Sequence, residues 1–429
     1  MRAETNLWTT SCRERVTCPP LAQDLRADLV VIGAGFTGCS AALEAAGRGA
    51  SVVVLEAKTL AHGGSGRNVG LVNAGLWLPP EAVVKALGAE AGGRLLQVLG
   101  AGPAAVFERI ETHGIDCEAT RNGTLHLAHA PAGLRDLQSR LRQGRAIGAP
   151  LELLGAQETR ARTGSAGFHG ALLDPRAGTV QPRAYCTGLA RAAQAAGARI
   201  HAHSAVTSVS RDAGGWQVVA NGHRVTAKAL LVATNAYHHG LSGLPAPRYV
   251  KVRYSQFATQ PLPPELRARV LAGGEGCWDT ALVMTSIRMD QAGRLILGGM
   301  CDASGAGARI HASWARRKLR HLYPALADLP FVHQWQGDIA MTRDHIPKIV
   351  ECGPQGYAVF GYSGRGIVPG TVFGAACAEA LLEQRPDALP LPPRACYTEP
   401  FCKTLGAYYE AGATLVHALT PAPVGRPRV

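Results

Sequence analysis

Residues 28–58, DLVVIGAGFTGCSAALEAAGRGASVVVLEAK, carry the most restrictive pattern in the chain. An apolar run of strand type, DLVVI, leads directly into Gly33, Gly35 and Gly38, spaced G-x-G-x-x-G. The helix formers CSAALEAAGR follow and stop at Gly49, and a second buried-strand run, SVVVLE, ends on Glu56. Each part has its own task. Gly33 makes the tight turn, Gly35 lets the backbone approach a pyrophosphate, and Gly38 packs the helix closely on the strand. The helix N-terminus offers unpaired N–H groups and a positive dipole end. Glu56 is placed to accept hydrogen bonds from a ribose. With strand, helix, second strand and acid all in register, the stretch reads as a βαβ dinucleotide site and not as an ordinary turn.

Two further glycine-rich segments decide which dinucleotide. GGSGRNVGLVNAG, residues 63–75, follows the second strand closely, and GYSGRG, 361–366, lies almost three hundred residues later. A nicotinamide cofactor needs neither. A flavin dinucleotide is longer, and an extended polar loop can line its pyrophosphate, ribityl chain and ring. Ser65, Arg67 and Asn68 supply donors for that purpose. The later segment reads strand (YAVF), glycine turn, helix (GTVFGAACAEALL). A positive helix end there suits the N1–C2=O edge of a reduced flavin, which carries negative charge. Three distant backbone segments around one FAD explain all three.

Length and composition bound the rest. A chain of 429 residues, 47% hydrophobic and 17% charged, suits two or three globular units with a large core. No run of 18 apolar residues is present, and the N-terminus has no apolar segment of signal type. The expectation is a cytoplasmic protein with no membrane span. The net charge of +13 comes from scattered arginines in an Ala-, Arg-, Gly- and Pro-rich chain. Only WARRKLRH (314–321) clusters, and it reads as a solvated helix face, so no nucleic-acid partner is expected. The eleven cysteines form no C-x-x-C, and their odd number argues against a full disulfide framework. The close histidine groups, at 201–203 and 238–239, lack metal-ligand spacing, so no metal site is expected.

With those motifs in order, the chain resembles the FAD-dependent oxidoreductases of the D-amino-acid oxidase (DAO) superfamily over most of its length. The shared stretches include VVIGAGFTGCSAALEAAGRGASVVVLEA, GGSGRNVGLV, residues 174–209, LLVATNAY (230–237), WQGDIAMTRDHIPKIV (335–350) and GYSGRGIVPGTVFGAACAEALL. GSGRN and the N-terminal TNLWTTS resemble the γ-glutamylputrescine oxidoreductase-like branch of amine oxidases. The resemblance implies an α/β fold: a Rossmann-like FAD-binding domain with an inserted antiparallel-sheet substrate domain. It assigns 24–85, 155–245 and 335–395 to the FAD domain, 86–154 and 246–334 to the substrate domain, and leaves 396–429 as a tail. It implies FAD contacts at Gly33, Gly35, Phe36, Thr37, Gly38, Glu56 and Ala57. Ser65, Gly66, Arg67, Asn68 and Leu71 match the loop passing the flavin. Val206 matches the adenine side, Thr234 and Asn235 a strand-end turn, and Gly364, Arg365, Gly366 and Ile367 the turn under the flavin edge.

The residues also carry structure of their own. WQVVANGHRVTA (216–227) reads as a hairpin with an Asn-Gly turn. YVKVRYSQFATQPL (249–262) alternates like a long strand, and residues 281–300 read as two strands around DQAGR. Residues 182–198 read as a helix feeding the strand RIHAHSAV, and the tail after 405 reads as a short helix.

Departures from the family bear on substrate. Amino-acid oxidases of this superfamily typically grip the substrate α-carboxylate with an Arg in a G-L-R-P segment. The matching segment here is GDIAM (337–341), with Ile339 in the arginine's place. Sarcosine-oxidase relatives use a Lys near flavin N5, where this chain has Ile296. Covalent attachment residues are missing as well, so noncovalent FAD is expected. The implied chemistry is hydride transfer from a C–H beside an amine nitrogen, giving an imine that water hydrolyses. His345, Tyr254, Arg288 and Trp335 are the candidate catalytic or pocket residues, with Gln256 beside them. His345 would orient the amine or relay a proton, and Arg288 would supply a charge for a carboxylate. The acceptor is O2 or another oxidant, and the oligomeric state stays open. A D-amino-acid, glycine or sarcosine-type oxidase or dehydrogenase, and a non-catalytic flavin-bearing subunit, are the alternative readings.

Overall fold

The computed structural model describes residues 6–238 and 241–420. Thr5 of TNLWTTS, His239 of the histidine pair and the tail from 421 onward lie outside the described residues.

The motif strand Leu25–Ile32 sits at the centre of the first sheet. It runs parallel to Val52–Leu55 on one side and to His223–Val232 on the other. Arg199–His201 and Gly356–Phe360 extend the parallel set at either end, and Lys348–Gly353 closes one edge antiparallel. The central runs VVI, VVVL and LLV are apolar throughout because both sheet faces are covered, as parallel sheets require. Helices Phe36–Gly47, Pro182–Ala195, Ala89–Thr112 and Ile367–Glu383 cover one face. On the other face lies a meander of Val206–Asp212, Gly215–Ala220 and the start of the long strand His223–Val232. Asn221 and Gly222 join the hairpin with φ of +52° and +79°, the positive pair that a type I′ turn needs.

The second sheet is mixed. Its order is Phe331–Met341, Val250–Pro261, Arg294–Met300, Thr285–Met289, Gly276–Asp279, Thr124–Leu127, Gly170–Asp174, Glu152–Gly155. All pairs are antiparallel except Gly276–Asp279 with Thr124–Leu127. Phe257, Ile287, Leu295 and Leu297 point to one face and pack on Trp314, Leu319 and Leu322 of the helix Ala308–Leu322. Arg316, Arg320 and His321 of the same helix face solvent.

Three segments join the opposite sheet or core to the one expected for their span, the first being residues 335–341, which pair in the second sheet as part of Phe331–Met341. The helix Ala89–Thr112 buries Leu95, Leu99, Val106 and Phe107 in the core of the first sheet. Gly170–Asp174 pairs within the second sheet. Apolar periodicity shows that a face is buried but not against which partner. The expected short C-terminal helix runs for 18 residues, Cys402–Leu419. Its His417 stacks flat on Trp314, centroids 3.8 Å apart, which ties the tail to the second sheet's helix. The eleven cysteines are all free thiols, seven of them buried.

Small residues bring the first and third glycine segments together. The helix Phe36–Gly47 packs against Ile367–Glu383, where a Cβ on Gly374 would overlap the Thr37 carbonyl oxygen and one on Gly370 would stand 3.0 Å from the Phe36 Cβ. Gly93, in an exposed helix interior, has nothing within 4 Å of that position. Gly374→Ala should therefore destabilise by about 1–3 kcal/mol through overpacking. Gly93→Ala should stabilise by about 0.5–1 kcal/mol through helix propensity alone. Denaturant melts of the two variants check this pair, and equal signs would contradict it.

Candidate active site

A cleft opens where the C-terminal ends of Leu25–Ile32, Val52–Leu55 and His223–Val232 meet, the usual ligand position in an open α/β sheet. Gly33, Gly35, Phe36, Thr37, Glu56, Ala57, Ser65, Asn68, Val206, Thr234, Asn235, Gly364 and Gly366 all line it. Side-chain hydrogen bonds tie the three glycine segments to one another. Ser65 Oγ accepts from the Phe36 N–H at 3.0 Å. Thr37 Oγ1 and the Tyr362 hydroxyl are 2.7 Å apart. Asn235 Oδ1 accepts from the Gly361 N–H at 3.0 Å.

The cleft fits a flavin dinucleotide. Gly33 has φ +103°, and a Cβ there would stand 2.9 Å from the Ala233 carbonyl oxygen. A Cβ on Gly35 would stand 2.8 Å from Ser65 Oγ, so only glycine keeps this floor open. The helices Phe36–Gly47 and Ile367–Glu383 start at Gly35 and Gly366, neither of which has a side chain to cap the first-turn N–H groups. Both helix ends thus present donors to the cleft, as phosphate and a reduced flavin edge require. At the other end Glu56 is held by the Ala34 and Lys58 N–H groups, each at 2.9 Å. Its carboxylate keeps further lone pairs for a ribose.

The other expected cofactor residues stand outside the lining. Gly38 packs under Gly33 and Gly66 under Ala61, and in each place a Cβ would overlap a carbonyl oxygen. Ile367 is buried at its helix start, and Leu71 pairs with Thr179 in a two-residue strand. Arg67 donates to the carbonyls of His62 and Gln336, both at 2.8 Å. Arg365 turns away, with its guanidinium over the rings of Trp278 (5.1 Å) and Trp77 (5.6 Å).

Four buried or half-buried donors hold the carbonyls of the loop 63–72. Asn6 Nδ2 donates to Gly66 O at 2.9 Å, Trp335 Nε1 to Arg67 O at 3.0 Å, and Trp8 Nε1 to Asn68 O at 2.8 Å. Arg288 Nη1 donates to Val69 O at 3.2 Å and to Val180 O at 2.5 Å. The Arg288 guanidinium lies 5.3 Å from the Trp8 ring, and burial lowers its pKa to about 10, so it stays charged at neutral pH. Trp8 and Trp335 meet edge to face at 5.7 Å, and Ile296 packs in the same apolar cluster.

Tyr254, Gln256, Arg288, Trp335 and Ile339 share one face of the second sheet, because directly paired residues point the same way. It is the face opposite the sheet's own core, and Ile339 carries it into the cofactor cleft. Tyr254 donates to Ser286 Oγ at 2.9 Å, and burial pushes its phenol pKa up, so it stays neutral. His345 is not brought to this face. It lies in the turn after Met341 with φ +53°, outside the cleft lining, and burial lowers its pKa. Tyr237, Asp338, Tyr362 and Ser363 line the cleft without having been singled out in the sequence. Tyr237, Tyr362 and Ser363 sit inside motifs recognised for their neighbours, and no charge or spacing marks them.

The sequence matches the FAD-dependent oxidoreductase family DAO over residues 28–380. It is 30% identical over 371 residues to a probable oxidoreductase OrdL of Rhizobium meliloti, covering 86% of each chain. It is 29% identical over 402 residues to the γ-glutamylputrescine oxidoreductase of Escherichia coli, covering 91% of this chain and 93% of that one. Among solved structures, glycine oxidase from Geobacillus kaustophilus superposes with a TM-score of 0.67 at 22% identity, over 84% of this chain and 95% of that one. L-amino acid deaminase from Proteus myxofaciens gives 0.72 at 16% identity, over 88% and 95%. These two likenesses speak for the fold. No helix among the described residues is long and apolar enough to cross a membrane. Sequence match, fold and a cleft built for a flavin dinucleotide agree that the chain belongs to the DAO family of FAD-dependent oxidoreductases.

Proposed function

We propose that this enzyme oxidises the C–N bond of an amine whose reacting carbon carries no α-carboxylate, using noncovalent FAD. Ile339 is the observation that carries the reading. It stands in the cofactor cleft, with Cδ1 3.7 Å from the position of a Cβ on Gly364. An aliphatic side chain cannot form the bidentate pair that grips a carboxylate. Arg288, the nearest alternative in the sequence, has Nη1 on the Val69 and Val180 carbonyls and its cation beside Trp8. Relatedness to a protein named γ-glutamylputrescine oxidoreductase favours an amine of this kind.

Bound FAD supplies a two-electron acceptor for the hydride on the carbon next to nitrogen. The chain's own residues do the rest. The first sheet and its three glycine segments hold the dinucleotide, and the inner face of the second sheet covers the substrate. The amine must be neutral for its lone pair to assist. The aliphatic Ile339 in the cleft lowers an amine's pKa by desolvation, so no dedicated base is needed. Tyr254, neutral and donating to Ser286, lies on the same sheet face as Ile339. The imine product is hydrolysed to a carbonyl compound and an amine. O2 or another oxidant then takes the two electrons. Ile296, where sarcosine-oxidase relatives use lysine, is packed against Leu7 and Trp8 and offers that step no charge.

Glu56→Ala should weaken FAD binding by about 1–3 kcal/mol, because it removes charge-assisted acceptors at the ribose end and leaves the Ala34 N–H unpaired. Turnover at saturating FAD should fall far less. Flavin titration of the apoprotein, prepared by denaturation and release of FAD, measures the first quantity, and steady-state kinetics the second. Unchanged affinity with lost turnover would place Glu56 elsewhere.

Under anaerobic conditions, amines without an α-carboxylate should bleach the flavin faster than the matching α-amino acids. Ile339→Arg should leave the best amine no better and raise kcat/KM for small α-amino acids. A wild type that prefers a free α-amino acid to every amine tested would overturn the Ile339 reading.

A further inference from the structure

The residue row next to Tyr254 is polarised, and one end of it has donors with nothing to bind. Trp278 pairs with Ser286, Ser286 with Gly298, and Gly298 with Gln256, so all four share the face that carries Ile339. Three strand spacings place the ends of this row about 14 Å apart. At one end Gln256, 1% exposed, has a buried Oε1 with no donor. At the other end Trp278, 7% exposed, has a buried Nε1–H with no acceptor. An unpaired buried polar group costs stability unless a ligand or water satisfies it.

Arg365 adds charge at the Trp278 end. The glycines on either side of it line the cofactor cleft, while its guanidinium lies between the rings of Trp77 and Trp278. Its Nη1 donates to Ala74 O at 2.8 Å. Among the described residues it forms no ion pair. Asp174, the nearest acid acting on it, is already bound by Arg176 through both carboxylate oxygens. Arg140 donates to Trp77 O at 2.9 Å, and its own charge is paired with Asp136 at 2.7 Å. His126, stacked on Trp278 at 4.9 Å, is kept neutral by burial. This corner therefore offers a largely buried cation, an orphaned N–H and aromatic walls, but no acceptor side chain for the cation.

We infer that Arg365 and Trp278 Nε1–H form the seat for a carboxylate at the far end of the amine substrate from its reacting carbon. The inference rests on the amine reading for its substrate class, but the anion seat is testable without turnover. The row's polarity, acceptor at Gln256 and donors at Trp278, matches a linear molecule with N–H groups at one end and an anion at the other. Guanidinium–carboxylate recognition gains from the rigid donor fork, and the flanking rings hold the guanidinium plane in place.

The test uses the FAD-loaded full chain and two measurements. The first is calorimetric binding of hexanoate, which carries the acid end and no amine. Wild type should bind it, Arg365→Met should bind at least about ten-fold more weakly, Arg365→Lys should recover part of the loss, and Trp278→Phe should weaken it several-fold. The second is the ratio of kcat/KM for 6-aminohexanoate to that for hexylamine. The ratio should be about ten to a hundred in wild type and fall towards one in Arg365→Met. A purely structural role for Arg365 would lower both substrates together and leave the ratio unchanged. Hexanoate bound equally by wild type and Arg365→Met, or by neither, overturns the inference, and so does a wild-type ratio near one. Hexanoate bound through Arg365 with no amine turned over would keep the anion seat and sink the amine reading instead. Because Trp278→Phe keeps an aromatic side chain and removes the N–H, it decides the matter even if Arg365→Met fails to fold.

Discussion

The carbonyl groups of residues 66–70 hold the two halves of the molecule together. A glycine-rich loop has few side chains to bury and many backbone groups to satisfy, and buried carbonyls need donors. Here the donors come from three places: Asn6 and Trp8 near the N-terminus, Trp335 on one strand of the second sheet, and Arg288 on another. On its other side the loop's Ser65 accepts from the first N–H of the dinucleotide helix. The loop is thus fixed from the substrate sheet outward and from the cofactor helix inward. Burying Arg288 without a carboxylate is costly, and the carbonyls and the Trp8 ring offset that cost.

Close backbone packing does the same work on the cofactor side. Gly38 under Gly33, and Gly374 against Thr37, let two helix starts converge on one cleft. Any side chain at those places would push the donors apart, and with them the geometry that accommodates a flavin. The first sheet holds a large, mainly backbone-recognised ligand. In the proposed function, the second sheet, which contributes side chains, distinguishes substrates. That division explains why the cofactor is readable from glycine spacing, while the proposed substrate contacts rest on individual side chains such as Ile339, Trp278 and Arg365.

The βαβ unit, its three glycine segments, the Asn-Gly hairpin and the long strand Val250–Pro261 were legible because each depends on local pattern. The long C-terminal helix was only half visible, since its inner face docks through His417 rather than through an apolar stripe. Arg365 was placed under the flavin because it stands between two cleft glycines. Ser363 and Gly364, with φ of +49° and +93°, reverse the chain just before it and send the side chain toward Trp77 and Trp278. His345 is a candidate near the amine by sequence, but its turn lies outside the cleft lining.

By itself the amino-acid sequence determined the cofactor and the family, because the needs of a dinucleotide are met by backbone, and glycine spacing records where backbone must come close. It also determined that the segment GDIAM carries the aliphatic Ile339, on which the proposed substrate preference rests. Only the tertiary structure decided what Arg288 and Arg365 do. Both are arginines in the sequence, but one donates to carbonyls of the loop and of Val180 while the other lies between two indole rings. The difference lies in which partners surround each guanidinium, and those partners, Val180 for one and Trp77 and Trp278 for the other, come from chain segments far away in sequence.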